Sequence, residues 1–169
     1  LTGRLLMDHG RAAATETSVS FHPVWGVPKI PGSALKGVTR AEMYAGEMSG
    51  SKLVDLFGDE KATGRVVFYD ALPVEGKFTL ALDVLTPHHG DYYEKKKPKP
   101  PTDWDSPMPF TFVTVVETTF ELWLGARSAV QADVEALAKA ANALGQALEA
   151  SGVGGKTAAG YGRFKVTTG

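Results

Sequence analysis

The chain has 169 residues, no cysteine, a formal net charge of −1, and 43% hydrophobic and 22% charged residues. That length suits one domain, or one domain with a large insertion, and is enough to bury a core. Missing cysteines exclude disulfides, thiol catalysis and cysteine-held metals, and near-neutrality means that any basic surface is local.

"RLLM" (4–7) and "VSFH" (19–22) have the apolar content of strands, with a loop of small residues between them. "GVPKIPGS" is a turn-rich approach to a helix. Ser33 is the expected N-cap, and "ALKGVTRAEMYAGEM" the helix. Leu35, Val38 and Tyr44 are expected on its buried side, and Lys36 and Arg40, four apart, on the other. "SKLVDLFG" is a short helical turn ended by Gly58.

"GRVVFYDALP" (64–73) and "KFTLALDVLTP" (77–87) read as strands, the second alternating at Phe78, Leu80, Leu82 and Val84. Residues 87–109 are too polar and proline-rich for a core and form a long insertion. "FTFVTVVETTFELWLGA" resumes strand character as a hairpin turning near Glu117 and Thr118. Ser128 with Gln131 makes a capping box. Val130, Val134, Leu137, Ala141, Leu144 and Leu148 then mark one helical stripe, stopped at Gly152. A glycine-rich loop and a closing strand, "RFKVT", finish the chain. Merging the hairpins gives a β-α-β-β-α-β order, the ferredoxin-like (RRM-like) arrangement: one antiparallel sheet with both helices on one face. The expectation is one domain over 1–169. The apolar runs are too short to span a membrane, and no signal peptide opens the chain, so the expected location is cytoplasmic.

"GVGGKTAAGYGRF" (152–164) contains GGKT, the end of a nucleotide-binding loop. The first glycine of that motif would fall at Ala150. The loop also follows a helix and leads into a strand, the reverse of the order that places phosphate on a helix N-terminus. An ATP site is therefore a minor alternative, which ATP turnover abolished by Lys156→Ala would support. Glycines allow close backbone approach and positive φ, and inward amides can form an anion nest. Gly154, Gly155, Lys156, Thr157 and Arg163 thus suit phosphate, and Tyr161 suits base stacking. From residue 150 onward there is no acidic side chain. "PGSALKG" offers a second anion site at the Ser33 end of the first helix, with Lys36 one turn in.

His88, His89 and Asp91 are clustered, but neighbours on one segment seldom converge on a metal, so no metal or other cofactor is expected. "EKKKPKP" with Lys95, Lys96 and Lys97, and nearby Tyr92 and Trp104, fits either a solvated tip or a clamp on phosphate or a partner. His9 and His22 are the acid–base candidates for a metal-independent RNA endonuclease, the alternative reading; His22, beside Pro23 and Trp25, also fits a structural role.

"IPGSALKGVTR" (30–40) and "GVGGKTAAGYGRF" together resemble the two signature segments of the RAMP superfamily of CRISPR proteins. "FGD" (57–59) and "GRVVFYDA" (64–71) match that superfamily's usual sequel. "TPHHGDYY" (86–93) and "PTDWDSPMPFTFVTV" (101–115) are similar to the sixth-subunit family of Cmr, type III-B, RNA-targeting effectors. The resemblance spans nearly the whole chain. It implies a ferredoxin-like core and a structural role in a ribonucleoprotein, with CRISPR RNA, target RNA and other Cmr subunits, backbone and small, as partners. A loop aspartate associated with target cleavage in backbone subunits is not evident in "AAATETSVSFHP", where Glu16 is the nearest acid. The expectation is a non-catalytic subunit. Ser33, Lys36, Arg40 and the glycine loop would hold the sugar-phosphate backbone irrespective of base sequence. His22, His88, His89, Tyr92, Lys95, Lys96, Lys97 and Trp104 would add RNA or subunit contacts.

Overall fold

The computed structural model describes residues 1–7, 19–48, 50–86 and 109–167, apart from the side chain of Phe110. His9, Glu16 and almost all of the 87–109 insertion lie outside the described residues.

Pro31, at φ −58°, sets the start of helix α1 (Gly32–Ala45). It has no N–H to leave unpaired and a backbone angle already close to helical. The expected cap at Ser33 is therefore corrected: Ser33 lies inside the first turn, exposed, and makes no capping bond. The cap comes from afar, with the Gly32 N–H donating to Asp70 Oδ1 at 2.8 Å. The buried face of α1 is Gly32, Leu35, Thr39 and Met43. Thr39 is tolerated there because its hydroxyl donates to the Leu35 carbonyl at 2.7 Å. Tyr44, expected inside, is 72% exposed. Helix α2 (Gly50–Phe57) ends as expected at Gly58, whose φ is +77°.

Among the described residues, four antiparallel pairings in three sheets make up the β structure. Strand β1 (Arg4–Leu5) and β4 (Thr79–Leu85) flank β5 (Phe110–Val116). Strand β2 (Val66–Phe68) pairs with β7 (Leu124–Ala126), and β3 (Leu72–Pro73) with β6 (Phe120–Glu121). The single strand expected over 64–73 is thus two, and 19–22 contributes only the bridge Phe21↔Pro28. The chain does turn at Glu117, φ +45°, but its arms form no hairpin: β5 pairs with β1 and β4, while β6 and β7 pair with β3 and β2. No closing strand forms over 163–167, where the Phe164 N–H instead donates to the Leu148 carbonyl at the end of the last helix. The described residues thus form a mixed α/β fold with antiparallel sheets and three α-helices.

Helix α3 (Gln131–Ala150) has Val130, not Ser128, at its N-cap position. Ser128 instead donates its hydroxyl to Asp133 Oδ2 at 2.6 Å. The apolar stripe is also rotated from expectation. Val130 and Val134 are 60% and 46% exposed, whereas Ala136, Ala140, Ala143, Leu144, Ala147 and Leu148 are buried. Buried Asp133 explains the rotation, because Arg65 Nη1 donates to it at 2.6 Å while Arg65 Nε reaches Asp55 at 2.8 Å. An inward carboxylate is stable only when paired, so the ion pair fixes which face of α3 meets the sheet.

Leu35, near the start of α1, shares a core with Leu144, Leu148 and Val153. Met43, near its end, shares another with Ala136, Ala140 and Ala143. The two helices therefore run antiparallel. The first turn of α1 and the loop after α3 lie at the same end of the pair.

Candidate nucleic-acid interface

Gly152, at φ +78°, ends α3, and its N–H donates to the Ala147 carbonyl at 2.8 Å. The loop that follows is stitched onto β1 and the residues after it. The Gly155 N–H donates to the Leu6 carbonyl at 2.8 Å, the Gly162 N–H to Arg4 at 2.7 Å, and the Thr2 N–H to Arg163 at 2.9 Å. Two glycines are forced by this seat. A Cβ at Gly154 (φ +95°) would stand 2.3 Å from the Leu6 carbonyl oxygen, and one at Gly162 (φ +67°) 1.9 Å from that of Val153.

The outer part of the loop is open. Lys156 adopts a left-handed conformation, φ +59°, and starts a 3-10 turn over Thr157–Ala159. The N–H groups of Lys156, Thr157 and Ala158 donate to no acceptor among the described residues. The Lys156 ammonium stands 4.9 Å from the centre of the Phe112 ring and 5.4 Å from that of Tyr161. Both rings thus hold it by cation–π attraction. Tyr161 donates its hydroxyl to Asp83 Oδ2. Arg4 Nε lies 3.2 Å from the same oxygen, and Arg4 Nη1 donates to Thr114 Oγ1 at 3.2 Å. The Tyr161 hydroxyl, the Val84 N–H and the charges of Arg4 and Lys156 hold the Asp83 carboxyl below its ordinary range. Burial, and then Asp83 itself, push the Tyr161 phenol up.

The start of α1 carries a second group. Asp70 accepts from Lys29 Nζ at 2.7 Å as well as from Gly32, and both bonds hold its carboxyl below the usual range, with smaller help from the charges of Lys29 and His22. His22 Nδ1 accepts from the N–H groups of Val24 and Trp25 at 3.3 and 3.4 Å, and its ring stacks on Trp25 at 4.3 Å. That nitrogen is committed to the turn, which fits a structural histidine better than a general base. Lys36 is half-buried, and exposed Arg40 lies in the field of Asp59.

The expected residues thus fall into two groups. Gly154, Gly155, Lys156, Thr157, Tyr161 and Arg163 share the loop, though the Gly155 amide is engaged by Leu6. Ser33, Lys36 and Arg40 share α1. His88, His89, Tyr92, Lys95, Lys96, Lys97 and Trp104 lie outside the described residues. The sequence reading missed Arg4, Asp83 and Phe112. Asp83 left one signal, a lone acid in the apolar run "FTLALDVL". Among the described residues no helix is long and apolar enough to cross a membrane.

A glycine loop folded onto the first strand, beside antiparallel helices and short antiparallel sheets, also defines a known class. The chain belongs to the RAMP superfamily, whose family model matches residues 2–165. It is 31% identical over 224 residues to the CRISPR system Cmr subunit Cmr6 of Pyrococcus furiosus, an alignment covering 95% of this chain and 64% of the relative. A chain from the cryo-EM structure of the type III-B Cmr-beta complex bound to cognate target RNA superposes with a TM-score of 0.78 at 25% identity, covering 99% of this chain and 56% of that one. The crystal structure of Cmr6 from Pyrococcus furiosus gives 0.59 at 31% identity, covering 96% of this chain and 93% of that one. The chain thus spans just under two-thirds of the curated relative.

Proposed function

We propose that this chain is a non-catalytic, RNA-holding subunit of a type III-B (Cmr) effector complex. Its partners are CRISPR RNA, target RNA in the assembled particle, and other Cmr subunits. Similarity to subunits named Cmr6, and to a chain of a complex solved with target RNA, supports the assignment. We read the fold as one domain with a ferredoxin-like core carrying the 87–109 insertion. The bonds that join Thr2 and Arg4 to the 162–163 segment support placing that segment beside the first strand.

The observation that carries the reading is the outer face of the glycine loop, where the N–H groups of Lys156, Thr157 and Ala158 have no acceptor among the described residues and the Lys156 ammonium stands over Phe112. Backbone amides and a cation recognise phosphate without reading a base. A guide-holding subunit needs that indifference, since sequence is read by pairing. Ser33 and Lys36, at the same end of the helix pair, and Arg40, farther along α1, would extend the contact.

The test is RNA crosslinking in the co-purified complex, with Lys156→Ala compared with the double substitution Lys36→Ala and Arg40→Ala. Loss of crosslinks in the first variant supports the loop, and loss in the second supports the extension. Unchanged crosslinking in both overturns the reading in favour of a pure assembly module.

A further inference from the structure

The cationic corner beside the glycine loop already holds an anion, and that anion belongs to the protein. Asp83 takes the Tyr161 hydroxyl, the Arg4 guanidinium and the field of Lys156. A hydroxyl, a guanidinium and an ammonium around one oxygen pair are also what a phosphate diester would use. The corner is open to water, with the side chains of Arg4 and Asp83 40% and 22% exposed. Asp83 sits on β4, which among the described residues has β5 as its one neighbour. Strand pairing places it opposite Phe112, the ring beneath Lys156.

We propose that Asp83 is an internal counter-anion, occupying the Arg4–Tyr161 corner until a polynucleotide phosphate displaces it. This rests on the RNA-holding reading above and adds two residues to it. Arg4 is a phosphate contact in the bound state, and Asp83 sets the strength and salt dependence of the grip. When phosphate enters, Arg4 exchanges one carboxylate for another anion, and Asp83 recruits a cation from solution. Net ion release on binding is thereby reduced.

The experiment is fluorescence anisotropy of the full chain with a labelled 20-mer of polyuridylate, in wild type, Asp83→Asn and Lys156→Ala. Asparagine keeps an oxygen for Tyr161 and removes only the charge, and matched thermal melts verify folding. Asp83→Asn is expected to bind about two- to fivefold more tightly at low salt, the range for one partly exposed ion pair. Its plot of log affinity against log salt is expected to steepen by about 0.7, one extra counterion released from single-stranded RNA. A structural strut would move neither quantity in that direction. If Asp83→Asn binds equally or more weakly while Lys156→Ala weakens binding, Asp83 is a strut and this inference falls while the loop reading stands. If wild type and Lys156→Ala bind alike, the loop reading falls and the inference with it.

Discussion

Replacing Gly162 by alanine separates two demands that the loop makes on glycine. At Gly162 the new Cβ would lie 1.9 Å from the Val153 carbonyl oxygen, with φ at +67°. At Gly160 φ is +88° but nothing lies within 4 Å of the added carbon. Gly160→Ala therefore carries only left-handed strain, about 1 kcal/mol. Gly162→Ala carries the same strain and also pushes the Val153 carbonyl away. That move disturbs the bond from the Val153 N–H to the Gly162 carbonyl at 2.9 Å and the one from the Gly162 N–H to Arg4 at 2.7 Å. At about 1 kcal/mol for each bond, the expected loss for Gly162→Ala is about 3 kcal/mol. Urea unfolding followed by intrinsic fluorescence measures both variants. Equal losses, to within about 0.5 kcal/mol, would refute the argument that close backbone approach, rather than φ alone, seats the loop on β1.

The rotated face of α3 can be checked by paired substitutions. Val134→Ala, at a 46%-exposed site, is expected to change stability by less than about 0.5 kcal/mol. Ala140→Leu, at a fully buried site, is expected to cost about 1–3 kcal/mol by overpacking. Leu148→Ala, 1% exposed in the main core, should cost about 2–5 kcal/mol, read as a lower urea midpoint with unchanged slope. Asp70 makes stability pH-dependent: its folded pKa is depressed, by Lys29 and the Gly32 N–H foremost, so its contribution is present above the unfolded carboxylate value of about 3.9 and is lost as pH falls through the lower folded value. Thermal melts should therefore show the gap between wild type and Asp70→Asn widest near neutrality and closing in acid; a constant gap would mean that Asp70 acts without its charge.

Residues whose chemistry is local were legible in the sequence. Gly58 and Gly152 end helices as read, and β4 falls where the apolar alternation places it. What stayed hidden depended on partners far away in the chain. Ser33 looks like a cap because its neighbours in sequence are all a propensity rule can weigh; Asp70, 38 positions beyond Gly32, does the work. The α3 stripe was misread for the same reason. Valines outrank alanines on any hydrophobic scale, yet Arg65, 68 positions away, draws Asp133 inward and carries the alanines with it. Small side chains then let α3 pack closely, an advantage that hydrophobicity does not record.

Charge followed the same rule at the candidate interface. The loop's basic character was visible as a run without acids, but the acid that balances it comes from β4, 78 residues away from Tyr161. Asp70 plays the corresponding part at the start of α1. In each place a carboxylate from another segment pairs with the groups to which the proposed function assigns a phosphate. A cationic corner without an anion would repel itself and lose the order that recognition needs. With a carboxylate held there by hydrogen bonds, the groups keep their geometry, and RNA binding as proposed above would be an exchange of one anion for another. Preorganisation of this kind lowers the ordering cost of association while weakening the net electrostatic gain. On the proposed function, a subunit that holds every guide alike would need only a modest grip at each phosphate, because contacts repeated along the strand would supply the rest.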